Sequence, residues 1–113
     1  MSKSILVTGA TGNLGTTVCA QLAKSGYQVF GTKRPGSTSN SEHATLFEAN
    51  LQNENDCKEL FEAVKKKTDG LHGIVLLAGG FGMHSIKNLS VADLNEMYQV
   101  NFFSAINMVK AFW

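Results

Sequence analysis

This sequence of 113 residues lacks an excess of either charge, because 10 lysines and arginines nearly balance 9 aspartates and glutamates. A formal net charge of +1 lacks the basic excess typical of nucleic-acid-binding domains, so we expect no nucleic-acid partner. No apolar run approaches the roughly 20 residues of a membrane-spanning helix, and we expect no membrane partner. The hydrophobic share of 43% nevertheless indicates a folded chain, and the length indicates one small domain spanning residues 1–113.

Cysteine and histidine are also few. Cys19 and Cys57 show no CxxC spacing and follow no secretory signal peptide, so we expect reduced thiols in a cytoplasmic protein. His43, His72 and His84 stand apart, each in or beside a predicted loop. This spacing favours exposed loop residues over metal ligands, and we expect no bound metal.

Glycine is abundant, with 11 residues against a single proline, and it separates segments that alternate between strand and helix patterns. The patterns predict strands at 4–8, 27–32, 44–51 and 73–77, a loop at 33–43, and helices at 16–25, 54–68 and 91–113. Such alternation predicts an α/β fold, a Rossmann-type doubly wound parallel sheet with about four strands and three helices. The apolar run 73–77 is typical of a strand covered on both faces.

Helix ends and faces have signals of their own. Leu14, Val18 and Leu22 recur at helical spacing and predict the buried face of the first helix. Asn53 is a candidate N-cap of the second helix, and Ser90 with Asp93 forms a candidate capping box for the third.

The first glycine cluster lies between a predicted strand and a predicted helix, where a parallel sheet binds its ligands. Gly9 would allow a tight exit from the strand, Gly12 the close approach of a pyrophosphate, and Gly15 the packing of helix against strand. The helix start would supply N–H groups to the phosphates. A merely tight connection is the alternative, and a P-loop is excluded because its lysine is missing. We expect the turn to bind a dinucleotide through Gly9, Thr11, Gly12, Asn13, Leu14 and Gly15.

The segment TGATGNLG from Thr8 to Gly15 resembles the TGxxGxxG turn of the short-chain dehydrogenase/reductase family, in its extended and atypical branches. The likeness covers the whole chain. Asn50 and Leu51 fall where family members carry the residues beside the adenine. Leu76 to Gly79 falls on the family's NNAG motif, with leucine in place of both asparagines. The resemblance implies cofactor contacts at Ala78, Gly79 and Gly80. The run Ala78 to Phe81 is also similar to dihydropteridine reductases.

The end of the second predicted strand bears on the choice of cofactor. NAD-binding proteins place an acid there for the ribose hydroxyls, whereas a 2′-phosphate requires cations. This chain has Lys33 and Arg34 there and no acid before Glu42. Pro35 favours an extended Arg34. We therefore expect NADP(H) in preference to NAD(H), with ordinary solvated loop charges as the alternative.

The resemblance also implies a catalytic apparatus of a YxxxK tyrosine and lysine, a serine and an asparagine. Asn101 matches the asparagine. Neither tyrosine begins a YxxxK motif, because Gly31 follows Tyr27 and Phe102 follows Tyr98 at that spacing. The chain thus resembles the amino-terminal half of a reductase, truncated at its C-terminus, acting on a small carbonyl or alcohol compound. By itself it is expected to bind nucleotide without catalysis. A non-catalytic NAD(P)-binding or sensing module and a doubly wound methyltransferase are the alternatives.

The last predicted helix is apolar on more than one face. This pattern is typical of a helix covered on both sides. In related reductases the second cover includes the equivalent helix of another subunit, so we expect a homo-oligomer formed through this helix. The large apolar residues of this helix are Phe102, Phe103, Ile106, Met108, Val109, Phe112 and Trp113.

Overall fold

The computed structural model describes residues 3–80, 85 and 87–113. Its strands are β1 (Ser4–Thr8), β2 (Gln28–Lys33), β3 (Thr45–Glu48) and β4 (Leu71–Leu76). Its helices are α1 (Asn13–Lys24), α2 (Glu54–Lys65), α3 (Val91–Tyr98) and α4 (Ser104–Phe112), with a π-helical turn at Gln99–Phe103 between the last two. All strand pairs are parallel and the strand order is β3-β2-β1-β4. The predicted α/β fold with a doubly wound parallel sheet is confirmed.

The sheet is covered on both faces because side chains of its central strand alternate between two cores. On one face Leu6 and Phe30 join the buried side of α2, together with Met108 of α4. On the other face Val7 and Val29 pack with α1. The chain therefore forms three layers, and the strands are aimed so that their carboxyl ends meet at one edge.

Helix α1 differs from its prediction at its first turn. The helix begins at Asn13, three residues before the expected start, and Leu14 is 62% exposed although its spacing had placed it on the buried face. Val18 and Leu22 do pack against the sheet. Gly26 follows the helix at φ 93°, a conformation that favours glycine. The spacing predicted the buried face correctly in the body of the helix. It was wrong in the first turn, which follows directly from the glycine turn.

The end of the chain also differs from the prediction of one continuous helix over 91–113. The Ser90 and Asp93 capping box is present at the start of α3, but a π-helical turn interrupts the helix at 99–103. π-Helical turns occur frequently at functional sites, and this one contains Asn101. Among the described residues, no helix is long and apolar enough to cross a membrane.

Strand β4 contacts both cores, as its apolar run predicted, because Ile74 packs against one and Val75 against the other. It pairs only with β1 among the described strands and lies at the edge of the sheet. Leu76 is consequently 38% exposed, although it belongs to an apolar run. Strand β4 is therefore covered on both faces while it lies at the edge of the sheet.

Candidate functional site

A cleft of about 830 Å³ lies across the carboxyl ends of the four strands. It includes the point where the connection from β1 and the connection from β4 diverge, which is the usual ligand position in an open parallel sheet. Ten of the residues predicted to bind the cofactor line it: Gly9, Thr11, Gly12, Lys33, Arg34, Asn50, Leu51, Ala78, Gly79 and Gly80.

The three glycines of the first turn meet different physical demands. Gly9 has φ 63°, and a Cβ built on it would lie 3.0 Å from the backbone of Ala78. A Cβ on Gly15 would lie 2.0 Å from the carbonyl oxygen of Gly9, so the helix can only approach the strand through a glycine. At Gly12 neither the backbone conformation nor close packing requires glycine, because its φ is −72° and a Cβ there would make only an ordinary contact at 3.5 Å. Its missing side chain instead leaves space in the cleft that it lines.

The N-terminus of α1 is open. Gly12 occupies the N-cap position, no side chain caps the helix, and the first turn contains no acid. The first N–H groups of a helix lack partners within it, and the helix dipole places partial positive charge there. The helix start is thus suited to an anionic group such as a pyrophosphate, in agreement with the space left at Gly12. Asn13, Leu14 and Gly15 do not line the cleft themselves; any contact they make would use these backbone groups.

Two buried threonines hold the loops around this opening. The hydroxyl oxygen of Thr8 accepts hydrogen bonds from the backbone N–H groups of Leu77 (2.9 Å) and Ala78 (3.0 Å). The hydroxyl oxygen of Thr32 accepts from the N–H of Gly9 at 3.2 Å. Each strand end is therefore tied to its neighbour by a side chain that replaces a ladder hydrogen bond. Thr32 was not predicted from the sequence, where its only signal is a polar residue at the end of a predicted strand.

The two leucines that replace the NNAG asparagines lie in different surroundings. Leu77 packs into the core between the sheet and α1, while Leu76 is partly exposed. The backbone of this loop is held by Thr8 on one side and by Asn101 on the other, so the loop is fixed without either asparagine side chain.

The cationic wall of the cleft follows β2. The ammonium group of Lys33 donates to the carbonyl oxygen of Ser39 at 3.0 Å, and the guanidinium of Arg34 reaches across to the carbonyl oxygen of Gly79 at 3.4 Å. Both residues line the cleft, as predicted. The contact with Gly79 shows that the Arg34 side chain is long enough to span the cleft from one strand end to another.

The wall that follows β3 is formed by Asn50 and Leu51. The side-chain oxygen of Asn50 accepts from the N–H of Gln52 at 3.1 Å, and the carbonyl oxygen of Leu51 accepts from the amide of Asn107 at 3.0 Å. The same carbonyl lies 3.6 Å from the buried thiol of Cys57. Burial, with a smaller effect from neighbouring carboxylates, raises the pKa of the Cys57 thiol to about 11. This cysteine is a structural support of the wall, since it is buried and protonated at neutral pH.

Asn101 is an exposed residue next to the wall that follows β4, and it does not line the cleft. Its amide pairs with both backbone groups of Gly80, donating to the carbonyl oxygen and accepting from the N–H, each at 3.0 Å. It also donates to the carbonyl oxygen of Met97 at 3.1 Å. A Cβ on Gly79 would lie 2.5 Å from the Asn101 side-chain oxygen, so the pairing requires glycine there. The asparagine of the resemblance therefore holds the second glycine loop in place.

Helix α3 and the π-helical turn complete the far side of the cleft. This contribution was not predicted from the sequence. Their contribution depends on how the last helix docks on the sheet, for which local spacing carries no signal. Four lining residues come from these two elements, Asp93, Glu96, Met97 and Val100, and Ser104 at the start of α4 is a fifth. Within the described ranges no group of three His, Cys, Asp or Glu side chains could hold a metal ion. His84 and Phe81, named from the sequence, lie outside the described residues.

Known proteins resemble this chain in sequence. The model of a protein family described as short chain dehydrogenase matches residues 3–113. An NADPH-dependent 1-acyldihydroxyacetone phosphate reductase of Schizosaccharomyces pombe is 29% identical over 119 residues, which cover 97% of this chain and 39% of that protein.

Solved structures resemble the chain closely in fold. An aldohexose dehydrogenase of Thermoplasma acidophilum has a TM-score of 0.86 at 20% identity, over 98% of this chain and 43% of the other. An NADH-dependent reductase complexed with NAD has the same TM-score of 0.86 at 23% identity, over 98% of this chain and 50% of the other. The chain thus spans half or less of the length of these proteins.

Proposed function

The chain belongs to the short-chain dehydrogenase family, and from this premise we propose that it is the NADP(H)-binding part of an oxidoreductase acting on a small carbonyl or alcohol compound. When bound, the nicotinamide supplies hydride transfer to or from the substrate carbon. The observation that carries the proposal is the open, acid-free start of α1, which faces the same cleft as Lys33 and Arg34. The relatives named above include proteins described with NADPH and with NAD, which supports a nicotinamide cofactor.

The cleft offers distinct surfaces to the parts of the dinucleotide. We assign the pyrophosphate to the glycine turn, where Thr11 and Gly12 line the cleft and the N–H groups of 13–15 begin the helix. The adenosine would lie between the β3 wall of Asn50 and Leu51 and the β4 wall, which consists of Ala78, Gly79 and Gly80. These assignments follow from the chemistry of the walls, N–H donors on one side and flat backbone on the other.

A 2′-phosphate would be held at the cationic wall. Guanidinium binds phosphate through two parallel hydrogen bonds, and Arg34 can reach most of the width of the cleft. Asp93 and Glu96, the acids that line the cleft, belong to α3 and face it from the opposite side. The cations and acids are thus segregated, which favours a phosphorylated ribose at the end of β2.

Titration of NADPH and NADH into the intact protein and into Arg34→Ala tests this assignment. We expect the variant to bind NADPH about tenfold more weakly, because one charge-assisted contact is lost, and to bind NADH unchanged. Lys24→Ala, at the far end of α1, is the matched loss of a cation and should alter neither affinity. Equal weakening of both cofactors by Arg34→Ala would overturn the phosphate assignment.

Asn101 is proposed here as a positioning residue for the cofactor. Its amide is committed to Gly80, and through that loop it would shape the adenosine surface. The catalytic role that the family resemblance implies for Asn101 would depend on the tyrosine, lysine and serine of the same apparatus.

The free thiols of Cys19 and Cys57 suit a reducing cytoplasm, where we propose that the protein is located. We also propose that a second copy of the chain covers the exposed apolar face of the last helices. Tyr98 is 59% exposed and Phe102 is 53% exposed. Light scattering at micromolar concentration should detect a dimer; a monodisperse monomer would contradict the proposal.

Two rival functions are outcomes of the same binding experiments. NADPH binding without reduction of any carbonyl compound by the intact protein would support the non-catalytic sensing module. Thermal stabilisation by S-adenosylmethionine and not by NADPH would support the methyltransferase instead.

A further inference from the structure

The segment that follows β2 is a turn with a defined geometry. The N–H of Ser37 donates to the carbonyl oxygen of Arg34 at 3.1 Å, and Gly36 has φ 81°. Proline at the second position and glycine with positive φ at the third are the signature of a type II turn. Arg34, Pro35 and Ser37 all line the cleft, so this turn is the surface that the cationic wall presents to a ligand.

An acidic side chain from the neighbouring strand holds this turn. Glu48 is the last residue of β3 and is in register with Lys33 at the end of β2. Its carboxylate accepts a hydrogen bond from the N–H of Gly36. Immediately after it, the N–H of Ala49 donates to the carbonyl oxygen of Lys33 at 3.1 Å. The turn is thus attached to the sheet through both its stem and its tip.

The position of Glu48 is unexpected for a site that binds phosphate. A carboxylate at the end of these strands would ordinarily accept from ribose hydroxyls and repel a 2′-phosphate. Glu48 does not line the cleft, and its carboxylate is committed to a backbone donor of the turn. Its acceptor capacity therefore serves the turn and not the ribose.

We propose that Glu48 is a specificity-determining positioning residue, which selects NADP(H) by fixing the turn that carries Arg34 and Ser37. This inference rests on the proposed function of the cleft. A turn free to move would let the Arg34 guanidinium occupy many positions, and ordering it on binding would weaken the affinity. NADH makes no use of the phosphate contact, so its affinity should not depend on the turn.

A pair of variants separates the hydrogen bond from the charge. Glu48→Gln and Glu48→Ala both remove the negative charge near the phosphate site, but only glutamine keeps an acceptor for the Gly36 N–H. Isothermal titration of the intact protein with NADPH should show about fivefold weaker binding for Glu48→Ala than for Glu48→Gln, the size of one ordinary hydrogen bond. The two variants should bind NADH equally.

The outcomes distinguish this inference from the proposed function. If wild-type protein binds NADPH and Arg34→Ala weakens it, but the two Glu48 variants bind NADPH alike, only the role of Glu48 is overturned. A loss confined to NADH in Glu48→Ala would also overturn it, because Glu48 would then serve the ribose. Parallel loss of both cofactors would indicate a purely structural role. If the wild type binds neither cofactor, the proposed function itself fails.

Discussion

The N-termini of α1 and α2 lie at the same edge of the sheet and are built in opposite ways. At α2 the side chain of Asn53 accepts from the N–H of Asp56 at 3.0 Å, and acids occupy the first turn at Glu54 and Asp56. At α1 the N-cap is Gly12, with no side-chain cap and no acid. One helix start is stabilised by its own side chains, and the other has neither a side-chain cap nor an acid in its first turn.

Contacts that stabilise the fold are concentrated at the start of α2, whereas the start of α1 is suited to binding. With glycine at its N-cap, α1 forgoes a side-chain cap that would contribute about 0.5 kcal/mol. Asp56 of α2 reaches back to the N–H of Asn50, and Glu54 pairs with Lys110 of α4, so α2 also fastens the last helix. The salt bridge with Lys110 lowers the pKa of Glu54. The three predictions below test this division.

Gly15→Ala should have the largest effect. Its Cβ would lie 2.0 Å from the carbonyl oxygen of Gly9, so backbone must move and the free energy of unfolding should fall by about 3 kcal/mol. Gly12→Ala is the matched control, since its Cβ would meet only an ordinary contact at 3.5 Å. Denaturant unfolding compares them. Equal stability of the two variants would contradict the packing role of Gly15.

Gly12→Asp should make the start of α1 resemble that of α2. Gly12 has the extended backbone of an N-cap, at φ −72° and ψ 174°, so aspartate can cap the helix and raise stability by about 0.5 kcal/mol. The same carboxylate would repel a pyrophosphate and weaken NADPH binding about 100-fold. Gly12→Asn adds a similar volume and cap without the charge and should bind NADPH better than the aspartate. Undiminished NADPH binding by Gly12→Asp would sink the assignment of the pyrophosphate.

Asn53→Ala should have the smallest effect, a loss of about 1 kcal/mol in the free energy of unfolding with no change in nucleotide affinity. Asn53→Asp keeps the acceptor and should retain stability. Thermal unfolding with and without NADPH measures both quantities. A change in NADPH affinity with Asn53→Ala would show that the two helix starts are coupled, which the comparison denies.

Much of the site could be predicted because its residues follow the ends of strands. Parallel strands bring their carboxyl ends to one edge, so recognising each strand was enough to bring Gly12, Arg34, Asn50 and Gly79 together. The exposure of Leu14 was missed because helical spacing does not reveal how a glycine turn rotates the first turn of a helix.

Contacts between distant segments could not be predicted. Asn101 and Gly80 are 21 residues apart, and their pairing depends on the π-helical turn, which no local pattern indicated. Glu48 falls within the strand predicted at 44–51, and its hydrogen bond to Gly36 exists only because β3 pairs with β2 in the observed register.

The sequence by itself determined the order of elements, the family and the glycine turn, because periodicity and conformational freedom are properties of neighbouring residues. The tertiary structure alone decided which loops are held and by what. Thr8, Thr32, Glu48 and Asn101 each satisfy a backbone group on another segment, at separations from 12 to 70 residues. Such hydrogen bonds form only after the strands and helices have packed, since packing brings donor and acceptor within reach.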